Sequence, residues 1–285
     1  MIFTGYAFEK EDRGWLKANA VQARMLSVGD LPKIVDPRLA KAYKEDGWLQ
    51  VEDQSNQGAC AGHALTETGE LAFLVATGSV TQLSRQMAYI GAQIEDGING
   101  DNGSTIVGCT KRAKKGVCSE KIGPYSRSYP GRSYITGAME ADAKNYVLRS
   151  HVDINSAAEA KQFLGSGIGG IQIGIKWWDY LQNPPGGKIT RFAPPSRGFG
   201  GHSVAILGYN THTDQGELSP EDYWLLLKNS HTIRYADRGW SYVLPSAFDE
   251  MCRDKSFTVM VGRSDMATPS ARKVHDFLQG RVIQI

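Results

Sequence analysis

The stretch QSNQGACAGHALTETGELAFL, residues 54–74, decides the fold of the N-terminal half, because a polar loop passes there into the clearest helical pattern of the chain. Small and apolar residues recur at helical spacing, at Ala64, Thr68, Leu71, Ala72 and Val75. Gly78 follows as a stop. The pattern therefore predicts a helix that has Cys60 at its beginning.

Cys60 has the position of an activated nucleophile. The unpaired N–H groups and the positive dipole at a helix N-terminus both favour the thiolate, the form of cysteine that attacks carbonyls. Gly58 allows a tight turn beside the sulfur, and the Gln54 amide can form an oxyanion hole with the Cys60 N–H. A small buried thiol that merely begins a helix explains the same stretch, so Cys60 alone does not establish an active site.

A histidine and an asparagine at strand ends supply the groups that a cysteine nucleophile needs. His202 follows two glycines and opens an apolar run over residues 203–209, where neutral imidazole can take the thiol proton. Asn229 ends the apolar run 223–228, and its carbonyl can accept a hydrogen bond from the far imidazole nitrogen. Each residue alone has an ordinary structural explanation, and only their combination points to catalysis.

Helical patterns dominate the first half of the chain and strand patterns the second. Further helices are predicted at about residues 84–94, 105–115 and 157–164. Strands are predicted at residues 170–176, 203–209, 223–228 and 239–244, and a short strand or extended entry at residues 47–51. This division predicts two lobes with a seam near residues 125–150.

Four motifs follow one another in a fixed order along the chain. They are Asp53-Gln54 with Gly58-Ala59-Cys60, Gly201-His202-Ser203-Val204-Ala205, Lys228-Asn229-Ser230, and Arg238-Gly239-Trp240. Together they resemble the papain-like cysteine peptidases, most closely the compact bacterial and viral members, over about residues 31–262. The resemblance implies an α+β fold of two lobes: a helical N-terminal lobe, an antiparallel β-barrel-like C-terminal lobe, and the active-site cleft between them.

The resemblance also implies a division of the chain. The peptidase domain is expected at residues 31–262, with the helical lobe at about 50–130 and the β lobe at about 131–262, between an N-terminal extension (1–30) and a C-terminal tail (263–285). The extension is too short for the family's long helical pro-segment, and either crosses the cleft as a plug or packs as ordinary structure. The apolar end of the tail, residues 282–285, is a candidate docking segment for an assembly partner.

The four motifs imply a role for each polar residue. Cys60 is the expected nucleophile of an endopeptidase that hydrolyses peptide bonds through a thioester. His202 is the expected general base and acid, Asn229 orients His202, and Gln54 is the oxyanion donor.

Five further residues are expected to bind an extended polypeptide substrate. Asn102 and Gly103 resemble the family's loop that pairs with the substrate backbone. Gly200, Gly201 and Ser203 are expected to border the pocket that sets specificity. The walls of that pocket are not encoded in any pattern of the sequence.

Three positions depart from the family pattern. Gln57 stands where the family's first disulfide has a cysteine, and Ala61 stands where an aromatic residue is usual. His231 stands where a tryptophan usually shields the bond between asparagine and histidine. Water competes for the partners of an unshielded bond, so we expect a wetter bond and lower catalytic efficiency.

A shifted alignment would make the chain an inactive relative. Cys60 would then correspond to the disulfide cysteine, and His63 would occupy the nucleophile position. The spacing from Gln54 to Cys60 favours the active arrangement.

Composition narrows the remaining classes of function. A formal net charge of +2 over 285 residues gives no field that would attract nucleic acid or a membrane. The four cysteines form no CxxC pair and the histidines no HxxxH pair, so neither a metal site nor a cofactor is expected. The N-terminus lacks a standard secretory signal, so reduced thiols and a cytoplasmic or virion-associated location are expected, with pairing of Cys109 and Cys118 left open.

Two other classes of function use the same fold. One is an inactive or weakly active structural component of a larger assembly such as a virion. The other is an acyltransferase in which an amine or a thiol replaces water at the thioester. The sequence does not separate hydrolysis from transfer.

Overall fold

The computed structural model describes residues 26–148, 150–192, 198–254 and 259–264. Its α-helices are α1 (Lys41–Glu45), α2 (Cys60–Thr77), α3 (Arg85–Asp96), α4 (Ile106–Lys115), α5 (Gly137–Ala143), α6 (Ala157–Gly165) and α7 (Pro245–Arg253). Its strands are β1 (Ser150–Asp153), β2 (Ile171–Trp178), β3 (Lys188–Ile189), β4 (Gly198–Asn210), β5 (Trp224–Lys228), β6 (Trp240–Val243) and β7 (Val259–Ser264). Most of the N-terminal extension and of the C-terminal tail, with the segment expected to dock on a partner, lies outside the described residues.

Side-chain oxygens fix the start of several helices. The Ser84 side chain accepts a hydrogen bond from the Met87 N–H at the start of α3, and the Thr105 side chain accepts one from the Gly108 N–H at the start of α4. These oxygens satisfy N–H groups of the first turn, which have no partner inside the helix. The helix α2 differs, because its N-cap residue, Ala59, offers no side-chain acceptor.

The described strands form one sheet in the order β1-β7-β2-β4-β5-β6-β3. Neighbouring strands are antiparallel except β3 and β6, which form a short parallel pair at the edge. The strand β4 pairs with β2 on one side and with β5 on the other. This order places the strand that carries His202 beside the strand that Asn229 follows.

The helix α2 belongs to two hydrophobic clusters. Leu71 and Leu74 pack in the larger cluster with residues of the sheet, and Leu65 and Phe73 pack in a second cluster with residues of α3 and α4. Because apolar side chains leave the helix in both directions, every residue from Cys60 to Leu74 is buried. The chain therefore has an α+β fold with α2 in the core between helices and sheet.

The second hydrophobic cluster, which contains residues of α2, α3 and α4, also includes residues after position 130. It contains Met139, Ala143 and Leu148, which pack with α3 and α4. The lobe boundary expected at residues 130/131 stays a prediction. These contacts favour a boundary near Leu148, within the seam expected at residues 125–150.

Most predicted elements are confirmed, and one is wrong. The helix predicted to begin at Cys60 became α2, the further predicted helices became α3, α4 and α6, and four predicted strands became β2, β4, β5 and β6. Residues 47–51 are not a strand but contain a turn, in which Leu49 adopts a left-handed conformation with φ of 53°. Both Trp48 and Leu49 are buried, so the apolar run reflects burial in the core. No described helix has the length and apolar composition needed to cross a membrane.

Candidate active site

Cys60 is the first residue of α2 and is fully buried. Since Ala59 offers no capping side chain, nothing at the N-cap offsets the positive helix end beside the sulfur. The Ser203 N–H donates a hydrogen bond to Cys60 Sγ over 3.4 Å. The sulfur therefore lies against β4, in a position that favours the thiolate.

The loop before Cys60 is held by Asp101. Its Oδ1 accepts hydrogen bonds from the Gly58 N–H over 2.8 Å and from the Tyr89 hydroxyl over 2.6 Å. A Cβ on Gly58 would lie 3.0 Å from the Gly103 nitrogen, so a larger residue would push the two loops apart. Neither Asp101 nor Tyr89 was predicted as part of the site, although Asp101 lies in a loop rich in turn residues.

His202 lies in β4, and Asn229 directly follows β5; both side chains are fully buried. His202 Nε2 and Asn229 Oδ1 are 2.9 Å apart. The Ser230 N–H also donates to Asn229 Oδ1 over 2.8 Å, which fixes the amide oxygen toward the ring. Because that oxygen accepts, Nε2 carries the proton of the neutral imidazole and Nδ1 carries the lone pair. Within the described part of the chain Nδ1 has no hydrogen-bond partner, so it is the nitrogen that can accept a proton.

His202 is held in its neutral form. Burial lowers the pKa of His202 well below its ordinary value, and the nearby His231 lowers it further, while the hydrogen bond with Asn229 acts in the opposite direction. A neutral imidazole is the form that can remove a proton from a thiol. The base expected from the sequence is therefore in the protonation state that proton removal requires.

Aromatic rings enclose His202. Trp177 from β2 packs edge-on against it, with ring centroids 4.6 Å apart, and His231 stacks on it with centroids 4.5 Å apart at 25°. Tyr235 in turn packs against Trp177 and His231. The exposed, wetter bond expected from His231 in place of a tryptophan is wrong, because the ring of His202 is shielded from two sides and fully buried.

Trp177 and Tyr235 were not among the predicted site residues. The alternation of Ile171, Ile173 and Ile175 in the predicted strand, continued by one step, would have placed Trp177 on the same face. Ile175 pairs with His202 across the sheet, and an irregularity in the register follows between Lys176 and Trp178. The strand pattern therefore predicts the face of β2 on which Trp177 lies. Only the pairing of β2 with β4 shows that this face brings Trp177 against His202.

Gln54 links the loop before Cys60 to the segment after Asn229. Its Oε1 accepts a hydrogen bond from the Ser230 hydroxyl over 2.6 Å, and its Nε2 donates to the Gln57 carbonyl over 3.0 Å. The Gln54 backbone N–H donates to the Ser230 carbonyl over 2.9 Å. These bonds hold the amide nitrogen of Gln54 on the side of the loop that leads into α2.

Gln57 forms an amide pair in the place where the resemblance implied a disulfide. Gln86 Nε2 donates to Gln57 Oε1 over 2.9 Å, and Gln57 Nε2 donates back to Gln86 Oε1 over 3.2 Å. Gln57 Nε2 also donates to the Ser126 carbonyl, and the Ser126 N–H donates to Gln86 Oε1 over 3.1 Å. The buried pair ties the loop before Cys60 to α3 without any sulfur.

All four cysteines are buried thiols. Cys109 Sγ donates to the Ala61 carbonyl over 3.4 Å, and burial raises the pKa of Cys118 to about 11. A thiol with a raised pKa is a poor nucleophile at neutral pH. Of the four cysteines, Cys60 alone begins a helix.

The residues expected to bind substrate lie at two places. Asn102 is exposed, whereas both backbone groups of Gly103 are used internally: its N–H donates to the Tyr89 hydroxyl over 3.2 Å and its carbonyl accepts from Gln93 Nε2 over 3.0 Å. The carbonyl has a second lone pair for a substrate N–H, whereas a substrate carbonyl that pairs with the Gly103 N–H would have to displace the Tyr89 hydroxyl. The expected use of Gly103 as a donor thus needs a rearrangement of its loop.

Gly200, Gly201 and Ser203 lie in β4 around His202. Gly200 has a φ of 114°, which favours glycine, and Gly201 pairs with Lys176 across the sheet. Ser203 is buried and in contact with Cys60 Sγ through its N–H. The structure therefore brings Ser203 to the nucleophile and places Gly200 and Gly201 directly before His202 in β4, separately from the position of Gly103 beside Gly58.

A buried ion pair joins α2 to β5 directly beside the site. Lys228 Nζ lies 2.6 Å from Glu67 Oε1, and both side chains are buried. Burial raises the pKa of Glu67, against the attraction of Lys228. Because Lys228 precedes Asn229, the pair fixes the asparagine relative to the helix that Cys60 begins.

His63 lies one turn after Cys60 and is fully buried. Its ring packs edge-on against Tyr125, with centroids 4.9 Å apart, and neither ring nitrogen has a hydrogen-bond partner within the described residues. Burial lowers the pKa of His63 well below its ordinary value. It is Cys60, not His63, whose side chain meets β4, which supports the alignment that has Cys60 as nucleophile.

Metal binding finds no support in the described residues. No group of three or more histidine, cysteine, aspartate or glutamate side chains is arranged there to hold a metal ion. The side chains in contact with His202 are instead an amide, an imidazole and an indole. Such a set suits proton transfer and covalent chemistry at sulfur.

The sequence profile of the papain family cysteine proteases matches residues 31–260, and the chain belongs to this family. Its structure superposes on that of xylellain, a cysteine protease from Xylella fastidiosa, with a TM-score of 0.67 at 19% identity, covering 93% of this chain and 96% of that chain. The bromelain protease from Ananas comosus, in complex with the E64 inhibitor, gives a TM-score of 0.60 at 18% identity, covering 82% and 99%. The ragweed pollen allergen Amb a 11, a cysteine protease in its proform, gives 0.63 at 18% identity, covering 89% and 71%.

These comparisons confirm the family and the two-lobe α+β fold that the motifs implied. Membership of a family of thiol proteases supports cysteine peptidase activity in general terms. No curated protein sequence matches the chain.

Proposed function

We propose that the protein is a cysteine endopeptidase with Cys60 as nucleophile, His202 as general base and acid, and Asn229 as the residue that orients His202. One observation carries this proposal: a buried, neutral imidazole has Nε2 held 2.9 Å from the Asn229 oxygen, and keeps Nδ1 for a proton from outside. The Ser203 N–H places Cys60 Sγ within 3.4 Å of the residue that follows this imidazole.

The first half of the reaction acylates the enzyme. The Cys60 thiol proton passes to His202 Nδ1, and the thiolate attacks the carbonyl carbon of the scissile peptide bond. The C–S bond forms and the carbonyl oxygen becomes an oxyanion. The carbon–nitrogen bond then breaks, and the imidazolium of His202 gives its proton to the leaving amine.

The second half releases the acyl product. His202 removes a proton from water, which attacks the thioester carbon. The C–S bond breaks, the product leaves as a carboxylic acid, and the thiol is restored. Asn229 keeps Nδ1 directed at the reacting atoms throughout, because its bond to Nε2 is retained in both protonation states of the ring.

The oxyanion is stabilised by the Gln54 amide and the Cys60 N–H. Gln54 is supported for this role by the bond between its Oε1 and the Ser230 hydroxyl, which fixes the amide before substrate arrives. The positive end of α2 acts on the same oxygen. A preorganised donor adds no reorganisation cost during the reaction.

The substrate is a polypeptide bound in an extended conformation. Residues 31–262 would form the complete catalytic unit, with Gly200, Gly201 and Ser203 bordering the specificity pocket and Asn102 beside the substrate backbone. The position of the three residues in β4 around His202 supports this role. Asn102 is supported by its exposed position in the loop that lies next to the loop before Cys60. Gly103 would contribute after its loop has exchanged an internal hydrogen bond.

Intact-protein mass spectrometry after brief treatment with iodoacetamide or an epoxide tests the proposal. We expect fast single labelling of the native protein at neutral pH, none at this site in Cys60→Ala, and at least tenfold slower labelling in His202→Ala. Cys252→Ala is the matched control and should label like the native protein. Labelling no faster than that of a small thiol, or unaffected by His202→Ala, would refute the activated pair.

Hydrolysis is then separated from acyl transfer by product analysis. A fluorogenic peptide is incubated with and without a high concentration of an added amine. A carboxylic acid product that persists in the presence of the amine supports hydrolysis. A product that is chiefly the amide of the added amine would assign the chain to transfer instead.

A further inference from the structure

We propose that His231 is a positioning residue for the proposed peptidase, because its neutral imidazole accepts a hydrogen bond from the Asn229 amide and so fixes the orientation of His202. The inference rests on the proposed function, since it assigns His231 a role at the same site. It further implies that the site loses its alignment when His231 is protonated.

The contacts of Asn229 carry the argument. Its Oδ1 accepts from two donors, the His202 Nε2–H and the Ser230 N–H, and these two bonds fix the orientation of the amide. Its Nδ2 is therefore directed away from them, and lies 3.4 Å from Nδ1 of His231. Nδ2 only donates, so Nδ1 of His231 must present a lone pair. The neutral tautomer with the proton on Nε2 is the form of His231 that fits.

The same amide also contacts Tyr235. Burial raises the pKa of Tyr235, and the interactions of its hydroxyl with the side chains of Ser241 and Asn229 act in the opposite direction. The Ser241 hydroxyl donates to that Tyr235 oxygen over 2.9 Å. The Asn229 amide therefore lies close to the hydroxyl of Tyr235, and its acceptor on the Nδ2 side is the ring of His231.

Stacking adds a second link between His231 and the proposed base. The rings of His231 and His202 lie nearly parallel, with centroids 4.5 Å apart at 25°, and Trp177 packs edge-on against both. A charge on one imidazole opposes a charge on the other at this distance. His202 must become an imidazolium during the reaction, and this step is easiest while His231 is uncharged.

A tryptophan at this position could shield His202 but not support Asn229. The indole N–H is a donor only, so it offers no lone pair to the amide hydrogen. Histidine combines an aromatic face for the stack with an acceptor for the amide. His231 therefore does more than replace the shielding ring that the family usually has.

Protonation of His231 would break both links. An N–H at Nδ1 would face the N–H of Asn229, and the stacked ring would carry a charge. The charged and titratable groups that face His231 are His202 on β4, His63 on α2, Asp53 in the loop before α2, and Tyr235. Burial lowers the pKa of His231 to about 4, with Asp53 acting in the opposite direction, so the neutral form prevails at neutral pH.

The test compares three variants with the native protein. His231→Gln keeps an acceptor for Asn229 but does not titrate, and His231→Phe keeps the aromatic face but offers no acceptor. His212→Gln changes an exposed histidine and is the matched control. The rate of Cys60 alkylation by iodoacetamide is measured from acid to neutral pH, with circular dichroism at each pH to confirm that the protein is folded. Nitrogen NMR of the histidine side chains at neutral pH reports the tautomer of His231.

We expect His231→Phe to lower the alkylation rate and kcat at neutral pH by roughly tenfold, about 1.4 kcal/mol, with KM unchanged, because an amide hydrogen of Asn229 loses its acceptor. His231→Gln should keep most of the neutral rate. As the pH is lowered, the alkylation rates of the native protein and of His212→Gln should fall with a slope that corresponds to the uptake of two protons. The rate of His231→Gln should fall with a slope that corresponds to one proton. The NMR spectrum should show Nδ1 of His231 unprotonated.

The outcomes separate this inference from the proposed function. Slow alkylation of Cys60 in the native protein would refute the peptidase mechanism, whatever the variants do. Fast alkylation in the native protein, with equal rates and equal acid limbs in His231→Phe and His231→Gln, would overturn the role of His231 alone. A proton on Nδ1 of His231 at neutral pH would overturn it as well.

Discussion

The two sides of the site are held in place by different kinds of interaction. On the side of the nucleophile, loops are held by hydrogen bonds: Asp101 binds the Gly58 N–H, and Gln57 exchanges two bonds with Gln86. On the side of the base, aromatic rings from two separate segments, Trp177 in β2 and His231 after β5, enclose His202. Polar bonds fix backbone position on one side, whereas packing fixes ring orientation on the other.

The difference follows from what each side does in the proposed mechanism. The nucleophile acts through backbone N–H groups and a helix end, so the path of its loop is what matters. The base acts through one nitrogen of a ring, so exclusion of water and ring angle matter. The two sides meet at the buried pair of Lys228 and Glu67, and at Gln54 with Ser230.

The largest effect is expected where the two sides are joined. Lys228→Met leaves the buried Glu67 without its partner, and should lower the free energy of unfolding by about 3–5 kcal/mol, as measured by urea denaturation at neutral pH. The double variant Lys228→Met/Glu67→Leu should recover most of this loss, because an apolar pair replaces an ionic one.

The matched control is Lys188→Met. Lys188 pairs with Glu217 over 2.7 Å at the surface, so its replacement should cost less than about 1 kcal/mol. A double variant as unstable as Lys228→Met would show that loss of packing, and not an unpaired charge, causes the effect.

On the side of the base, Trp177→Leu should cost about 3 kcal/mol through the cavity it leaves in the core. It should also slow the alkylation of Cys60, since one wall around His202 is lost. Trp178→Leu is the control, because Trp178 is buried on the other face of β2 against Phe192. Similar losses of stability, with slower alkylation in Trp177→Leu alone, are the expected result; equal alkylation rates would contradict the enclosure of His202 by Trp177.

On the side of the nucleophile, Gln57→Leu should cost about 2 kcal/mol, because Gln86 and the Ser126 carbonyl lose a buried partner. A double-mutant cycle with Gln86→Leu measures the coupling by thermal and urea unfolding. The double variant should be about 1–2 kcal/mol more stable than the sum of the single effects predicts. Strict additivity would show that the amide pair contributes nothing as a pair.

The smallest change in stability at neutral pH is expected at His63, one turn after Cys60 in α2. His63→Phe removes two buried nitrogens that lack partners among the described residues, and should stabilise the protein by about 1 kcal/mol. The pKa of His63 is lowered in the folded protein, so only the unfolded chain takes up its proton as the pH falls. The native protein therefore loses stability below about pH 6.5 by about 1.4 kcal/mol per pH unit from this residue, and His63→Phe does not.

Urea denaturation at neutral pH and near pH 5 checks the last prediction. The advantage of His63→Phe should grow by about 2 kcal/mol between the two conditions. His212→Gln, at an exposed position, should leave both values within about 0.5 kcal/mol. An advantage that shrinks on acidification would contradict a neutral, buried His63.

The sequence indicated the candidate catalytic residues more readily than the residues that surround them. Cys60, His202 and Asn229 stand at a helix start and at strand ends, places that local patterns reveal. No local pattern singles out Asp101, Trp177 or Tyr235, because an acidic residue in a loop and aromatic residues near strands occur in every globular protein. The effect of His231 was predicted in the wrong direction, since its shielding comes from stacking between segments that are far apart in the chain.

By itself the sequence determined four of the helices and four of the strands in their order, the α+β class, and the family, through motifs whose geometry is local to each loop. The tertiary structure alone decided that Gln57 is paired with Gln86, that the pair of Lys228 and Glu67 joins the two halves, and that His231 contacts Asn229. The reason is physical: periodicity and capping act over a few residues of one segment. Burial, stacking and hydrogen bonds between segments depend on strand order and register, which no single stretch of the chain contains.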